Sequence, residues 1–131
     1  MKALFSGLLC SVILLLSTAY VSAAPVLVMV EQPGCVYCEQ WDTKIAPIYP
    51  KTPEGKYAPL LRVQLRDAAP DGMTYARRVN FTPTFILMND GEEKARIEGY
   101  PGEDFFWGLL GMMLNEQDIP FEMKTTEDLS Q

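Results

Sequence analysis

Histidine is absent from this chain of 131 residues, and cysteine occurs only three times. Histidine and cysteine supply most zinc ligands, so a four-ligand site could form only by dimerisation or by recruiting carboxylates. Positive charge is also scarce, because 11 Lys and Arg residues stand against 17 Asp and Glu residues, for a net charge of −6. The single basic pair, Arg77-Arg78, is too small to attract the phosphates of a nucleic acid. We therefore expect neither a resident metal ion nor a nucleic-acid partner.

Two of the three cysteines, Cys35 and Cys38, form a Cys-x-x-Cys motif directly after an apolar run. A strand that ends in a tight turn would deliver Cys35 to a helix N-terminus, where unpaired amides and the helix dipole stabilise a thiolate. Cys38 would lie one turn deeper on the same face, close enough to form a disulfide. The pattern predicts a redox-active dithiol, with a metal site shared between subunits and an inert structural disulfide as alternatives. So short a loop constrains the unfolded chain little, which disfavours the inert bridge.

The first 23 residues have the features of a secretory signal peptide. Lys2 precedes an apolar run over 3–19, and Val21 and Ala23 fit the small-residue rule, which predicts cleavage after Ala23. Cys10 would be removed with this segment. The alternative is an uncleaved membrane anchor, which needs about 20 apolar residues. We expect an exported, periplasmic protein, and a partner that maintains its redox state, because such a compartment oxidises unattended dithiols.

The remaining residues, 24–131, are enough for one small domain with a single hydrophobic core. We expect this domain to be a monomer. The end of the chain is polar and acidic, so we expect the tail from about residue 122 to be poorly ordered.

The hydrophobic pattern predicts the element order β-α-β-α-β-β-α. A continuous apolar run is typical of a strand buried on both faces, and an alternating segment predicts the second strand. Asn89-Asp90-Gly91 predicts a turn between the last two strands. Trp41, Ile45 and Tyr49 recur at helical spacing, so we expect them in the core. We expect strands at 26–30, 61–65, 85–88 and 95–98, helices from the motif to 46, over 71–78 and at 105–114, and an exposed loop at 51–59.

Two motifs in this order resemble those of the thioredoxin family. One is the strand followed by Cys35-Val36-Tyr37-Cys38, and the other is Thr82-Pro83-Thr84 at the start of the third predicted strand. The second motif is similar to the family's Xaa-cis-Pro signature. The resemblance implies a thioredoxin-like α/β fold, with a central mixed four-stranded sheet and helices on both faces. It also implies that Pro83 lies against the dithiol.

The segment Glu31-Gln32-Pro33-Gly34, together with Trp41-Asp42, resembles more narrowly the small exported thioredoxins of sulfur-oxidation gene clusters, the SoxS type. That resemblance implies a thiol-disulfide oxidoreductase that reduces a disulfide-bearing periplasmic partner, with a sulfur-oxidation carrier protein as the candidate. Electrons would arrive from a membrane protein, and the redox-active disulfide would serve without a further cofactor. Two other functions stay open: a redox-sensing binding module without turnover, and a glutaredoxin-like enzyme linked to glutathione.

The resemblance also implies roles for individual residues. Cys35 would be the thiolate that attacks a partner disulfide, and Cys38 would resolve the mixed disulfide. Thr82-Pro83 would place backbone groups beside the dithiol, where they could pair with a substrate strand. Tyr37 and Pro33 would shape an apolar rim around the site.

The sequence departs from the thioredoxin pattern at two positions. Thioredoxins keep a buried acid six residues before the first cysteine, where this chain has Met29. Deprotonation of Cys38 would then depend on Glu31, Glu39 or water. The second departure is Val36-Tyr37, which resembles the Pro-Tyr of glutaredoxins and leaves the reduction potential undetermined.

Overall fold

The computed structural model describes residues 22–117. The predicted tail lies outside the described residues, and so does almost all of the predicted signal peptide, so both stay predictions. None of the helices between residues 22 and 117 has the length and apolar character needed to span a bilayer.

A mixed sheet of four strands, in the order β2-β1-β3-β4, forms the centre of the domain. Its strands are β1 (Val26–Glu31), β2 (Leu60–Gln64), β3 (Thr84–Asn89) and β4 (Glu92–Glu98). β1 pairs in parallel with β2 and antiparallel with β3, and β3 and β4 form a hairpin. Because β1 lies inside the sheet, its residues from Leu27 to Val30 are at most 2% exposed. The predicted α/β class with a mixed four-stranded sheet is confirmed.

Two helices pack together on one face of this sheet. They are α1 (Val36–Lys44) and α3 (Glu103–Asn115), while a short helix, α2 (Pro53–Tyr57), lies between α1 and β2 in the chain. Trp41 of α1 and Phe106 of α3 are fully buried, and their rings meet edge-to-face with centroids 5.8 Å apart. Trp41, Ile45 and Tyr49 are each at most 1% exposed, so their predicted core position is confirmed.

The helix predicted over 71–78 is wrong, because the described chain has no helix between β2 and β3. Thr74 instead bonds to the hairpin: its N–H donates to Gly91 O at 2.8 Å, and its carbonyl accepts from Glu93 N–H at 3.1 Å. The guanidinium of Arg96 on β4 donates to two further carbonyls of this segment, at 2.9 and 3.4 Å. Backbone groups engaged by β4 in this way do not form the i to i−4 bonds of a helix.

This irregular segment covers the second face of the sheet. Met73, Tyr75 and Val79 are half-buried and pack on the buried side chains of Val28 and Ile86. The second face is therefore closed by loop backbone and a few side chains instead of the predicted helix.

The region predicted as an exposed loop at 51–59 contains α2. Thr52 caps this helix, because its Oγ1 accepts a hydrogen bond from Gly55 N–H at 3.0 Å. A Cβ at Gly55 would collide with the backbone carbonyl of Tyr49, so only glycine fits this close approach. The Tyr49 hydroxyl donates to Ala58 O at 2.7 Å, which fastens the end of the short helix to the core.

Candidate active site

The dithiol lies where β1 passes through a tight turn into α1. Gly34 has a φ of 76°, and Cys35 N–H donates to Gln32 O at 3.3 Å to close the turn. Cys35 is the N-cap of α1, and its Sγ accepts a hydrogen bond from Cys38 N–H at 3.1 Å. A thiolate here would keep this hydrogen bond and lie at the positive end of the helix dipole.

Cys35 and Cys38 form a disulfide in the structure, as their spacing predicted. Their Cα atoms are 5.2 Å apart, within the ordinary range for a disulfide. Cys35 is 9% exposed and Cys38 is 4% exposed. Of the two residues, Cys35 is therefore the more accessible to a partner.

Thr82 and Pro83 lie immediately before β3. The peptide bond between them is cis, and Pro83 is buried. The Pro83 carbonyl accepts a hydrogen bond from Gly99 N–H at 2.7 Å, which ties this loop to the end of β4. Among the described residues, the backbone N–H and carbonyl of Thr82 have no hydrogen-bond partner.

A side-chain contact joins the active-site turn to the loop that carries Pro83. Gln32 Nε2 donates to Thr82 Oγ1 at 2.9 Å, across 50 positions of sequence. This hydrogen bond fixes the position of the turn that carries Cys35 relative to the backbone of Thr82. Sequence reasoning did not select Gln32 as a site residue, because only the folded chain brings it beside Thr82.

The position of the family's buried acid is apolar in this protein. Met29 is fully buried in the same core cluster as Cys35 and Cys38. Glu39 is exposed in the first turn of α1. Among residues 22–117, no carboxylate is hydrogen-bonded to either cysteine sulfur. A role for Glu31 or Glu39 in deprotonating Cys38 therefore stays a prediction.

Arg62 of β2 forms an ion pair with Glu31. Its Nη1 donates to Glu31 Oε2 at 2.8 Å, and its Nη2 donates to the carboxylate of Asp42 on α1. The hydrogen bond to Asp42 is the main reason that the pKa of Arg62 is raised. The guanidinium carbon also lies 5.7 Å from the centroid of the Trp41 ring. The network connects the end of β1 to α1, so it supports the helix that carries the dithiol.

The two predicted rim residues lie in different surroundings. Tyr37 is 58% exposed and lines a depression with the loop 99–102. Pro33 is exposed and lines a separate depression with the end of β2. Val36 and Phe81 are also exposed, by 61% and 60%, beside the motif and beside Thr82. Sequence reasoning named neither as a site residue, since apolar residues next to a motif are more often part of a core.

A family model described as a thioredoxin-like domain matches residues 15–113. Since the match spans more than half of the chain, the protein belongs to the thioredoxin-like family. Its fold and its Cys-x-x-Cys disulfide make it a thiol-disulfide oxidoreductase.

Among solved structures, the chain is similar to the periplasmic thioredoxin SoxS from Paracoccus pantotrophus in its reduced form. The identity is 54% and the TM-score 0.70, over 71% of this chain and 98% of that one. It is also similar to a thioredoxin-fold protein from Helicobacter pylori, with 18% identity and a TM-score of 0.50 over 80% and 75% of the two chains. The second likeness shows the fold alone. No curated protein sequence matches the chain.

The described part of the chain contains no cluster of side chains that could hold a metal ion. No group of three or more His, Cys, Asp or Glu residues with that ability lies within 22–117. The alternative of a shared metal site would thus combine this dithiol with ligands from a second subunit.

Proposed function

We propose that this protein is a periplasmic reductant that transfers two electrons from the Cys35–Cys38 dithiol to a disulfide of a partner protein. The observation that carries the proposal is the position of Cys35 as the N-cap of α1. The 54% identity to a periplasmic thioredoxin, over nearly all of that protein, supports both the chemistry and the compartment. The predicted signal peptide agrees with export.

In the first step, the Cys35 thiolate attacks one sulfur of the partner's disulfide. A new S–S bond joins Cys35 to the partner while the partner's own S–S bond breaks. The second partner sulfur leaves as a thiolate and takes a proton from solvent. The hydrogen bond from Cys38 N–H and the positive end of α1 keep Cys35 in the reactive thiolate form.

In the second step, Cys38 loses its proton and attacks the Cys35 sulfur. The mixed disulfide breaks, the Cys35–Cys38 disulfide forms, and the partner sulfur leaves as a thiolate that is protonated. Two electrons have then passed to the partner. Because Met29 offers no base, the Cys38 proton passes to water, or to Glu31 or Glu39 after a small rearrangement.

The backbone of Thr82 supports a role in substrate binding. The free N–H and carbonyl of Thr82 suit an extended partner segment, which would add to them as a short strand. Pro83 fixes the position of these groups, and Tyr37 and Pro33 would contact the partner on two sides of the dithiol.

We infer reduction in preference to oxidation. Between β1 and α3 the described chain carries no inserted substrate-binding domain of the kind that suits a general oxidase or isomerase. The resemblance to the SoxS type makes a sulfur-oxidation carrier protein the preferred partner. A membrane protein that relays electrons across the bilayer would return the dithiol to its reduced state.

The test is the reduction potential of the Cys35–Cys38 couple, measured in glutathione and dithiothreitol redox buffers. We expect a value near thioredoxin's, about −270 mV. A value near about −120 mV would identify an oxidant and overturn the reductant proposal. The Cys35→Ser variant is the control: it should lose all turnover, whereas a redox-sensing module without turnover would keep its partner binding.

One observation favours a second candidate, a glutathione-linked activity. Val36-Tyr37 resembles the glutaredoxin dipeptide, and both side chains are more than half exposed. The Cys38→Ser variant separates the two functions. It should lose the reduction of protein disulfides, while an activity on glutathione mixed disulfides would survive because that reaction needs Cys35 alone.

A further inference from the structure

A cavity of about 610 Å³ opens on the sheet face opposite α1 and α3. Val30, Val63, Leu65 and Val79 contribute apolar side chains to its lining, and Gln32 lies at its edge. The cavity lies between β2 and the irregular segment before β3, where the helix predicted over 71–78 is missing.

This cavity continues to the active-site turn. A neighbouring depression shares Gln32, Gln64, Leu65 and Arg66 with it and also reaches Pro33. Pro33 is two residues before Cys35 in the chain. A partner whose disulfide meets Cys35 could therefore extend a flanking segment into the cavity.

The charged residues of the lining are Arg66, Asp67 and Arg78, so its net charge is positive in a chain whose net charge is −6. Arg66 and Arg78 are exposed, and neither forms a salt bridge with another residue of the described range.

The other arginines between residues 22 and 117 are all paired with carboxylates. Arg62 binds Glu31 and Asp42, Arg77 binds Glu98, and Arg96 binds Glu93 and Glu98. The two arginines without an acidic partner thus both line the cavity that continues to the active-site turn.

We propose that this cavity is a docking groove for an acidic segment that flanks the partner's disulfide. Asp or Glu side chains of the partner pair with Arg66 and Arg78, and an apolar partner side chain packs against the valines of the lining. The surrounding negative charge repels such a segment elsewhere, so the arginines also orient the partner. This inference rests on the proposed function and specifies the class of partner.

The test compares two synthetic peptides that contain the same intramolecular disulfide and an amidated C-terminus. In one peptide the flanking residues are Asp-Leu-Asp, and in the other they are Lys-Leu-Lys. The measured quantity is the second-order rate constant of reduction by the fully reduced protein at low ionic strength. We expect the acidic peptide to react roughly three- to tenfold faster, since its carboxylates form exposed ion pairs with Arg66 and Arg78.

Arg66→Gln with Arg78→Gln should abolish this preference while leaving the reduction potential unchanged. Arg77→Gln is the matched control, because Arg77 adjoins Arg78 in the chain but is paired with Glu98 at 3.0 Å and is not part of the lining. This control should keep the preference, and about 0.5 M salt should suppress it in the wild type.

Equal rates for both peptides, or a preference that survives the double substitution, would overturn the groove proposal. Hydroxyethyl disulfide, which is neutral and too small to span the groove, separates this failure from failure of the proposed function. If the protein reduces hydroxyethyl disulfide but shows no peptide preference, the reductase stands and the groove falls. If it reduces neither the peptides nor this compound, both proposals fall.

Discussion

The two faces of the sheet are covered in different ways. On one face, α1 and α3 bury Trp41, Phe85 and Phe106 completely, with ring centroids 4.9 to 5.8 Å apart. On the other face, half-buried side chains such as Met73 and Val79 cover the sheet, and a cavity remains. The close-packed face holds the dithiol helix in place, whereas the open face offers surface to a partner. Rigid positioning of the dithiol thus depends on one face of the sheet, whereas the proposed docking groove lies on the other.

On the open face, polar contacts hold the covering segment to the sheet, whereas on the other face apolar packing holds the helices. Arg96 and Glu93 form a bidentate ion pair with two contacts of 2.6 Å, and each side chain is only 4% exposed. Glu93 also accepts a hydrogen bond from Ala76 N–H at 2.7 Å, and Arg96 donates to the carbonyls of Arg77 and Arg78. The ion pair on β4 therefore fastens the irregular segment to the sheet.

The largest effect should come from truncation on the close-packed face. Phe106→Ala should lower the free energy of unfolding by about 3–5 kcal/mol, because it leaves a cavity among buried rings. Met73→Ala on the open face should cost about 1–2 kcal/mol, since Met73 is only partly buried. Urea unfolding of both variants measures the difference. Equal losses would mean that the two faces are packed equally well.

The next effect concerns the ion pair that holds the open face. Arg96→Met should lower the free energy of unfolding by about 3 kcal/mol, because it leaves Glu93 buried without its partner. The control is Arg77→Met, which breaks an exposed pair with Glu98 and should cost less than about 1 kcal/mol. Urea unfolding again provides the measurement. Similar small losses in both variants would show that the irregular segment does not depend on Arg96.

The same pair predicts a pH dependence. Burial by itself would raise the pKa of Glu93, but hydrogen bonds from Arg96 and from Ala76 N–H outweigh it and lower the pKa below 4.5. A carboxylate with a lowered pKa in the folded state stabilises the protein above its unfolded pKa, and this contribution is lost as the pH falls through the folded value. The urea concentration at the unfolding midpoint should therefore decrease as the pH is lowered below about 4.5. Glu93→Gln should flatten that decline, and an unchanged profile would contradict the assignment.

The smallest predicted effect tests the contact between the two parts of the site. Gln32→Leu removes the hydrogen bond to Thr82, worth about 1 kcal/mol, and should lower kcat/KM for a protein disulfide by roughly fivefold. The reduction potential should not change, because the dithiol itself is untouched. Thr82→Val should have the same effect, and the double variant should be no worse than either single one. Additive losses would show that the two side chains act independently.

Prediction from sequence worked best where neighbouring residues decide the structure. The first and third strands, predicted at 26–30 and 85–88, are observed at Val26–Glu31 and Thr84–Asn89. Both are continuous apolar runs bounded by turn residues, so a local pattern is sufficient. The same holds for the two-residue hairpin turn, where Asp90 and Gly91 both have positive φ.

The prediction failed over 71–78, although the apolar spacing there is compatible with a helix. The irregular segment also packs Met73 and Val79 against the sheet, so contact of these residues with the core does not by itself require a helix. The observed segment is favoured over a helix because residues of the β3–β4 hairpin form hydrogen bonds with its backbone groups, which a helix would use internally. Those partners are distant in sequence and carry no local signal.

The sequence by itself determined the chemistry of the dithiol. A strand, a turn with Gly34, and two cysteines three positions apart require only short-range contacts to form a disulfide at a helix N-terminus. Tertiary structure alone decided what surrounds that disulfide: the bond between Gln32 and Thr82, the arginines beside the cavity, and the face left without a helix. The physical reason is that these features depend on contacts between segments tens of residues apart, which exist only after the sheet has formed.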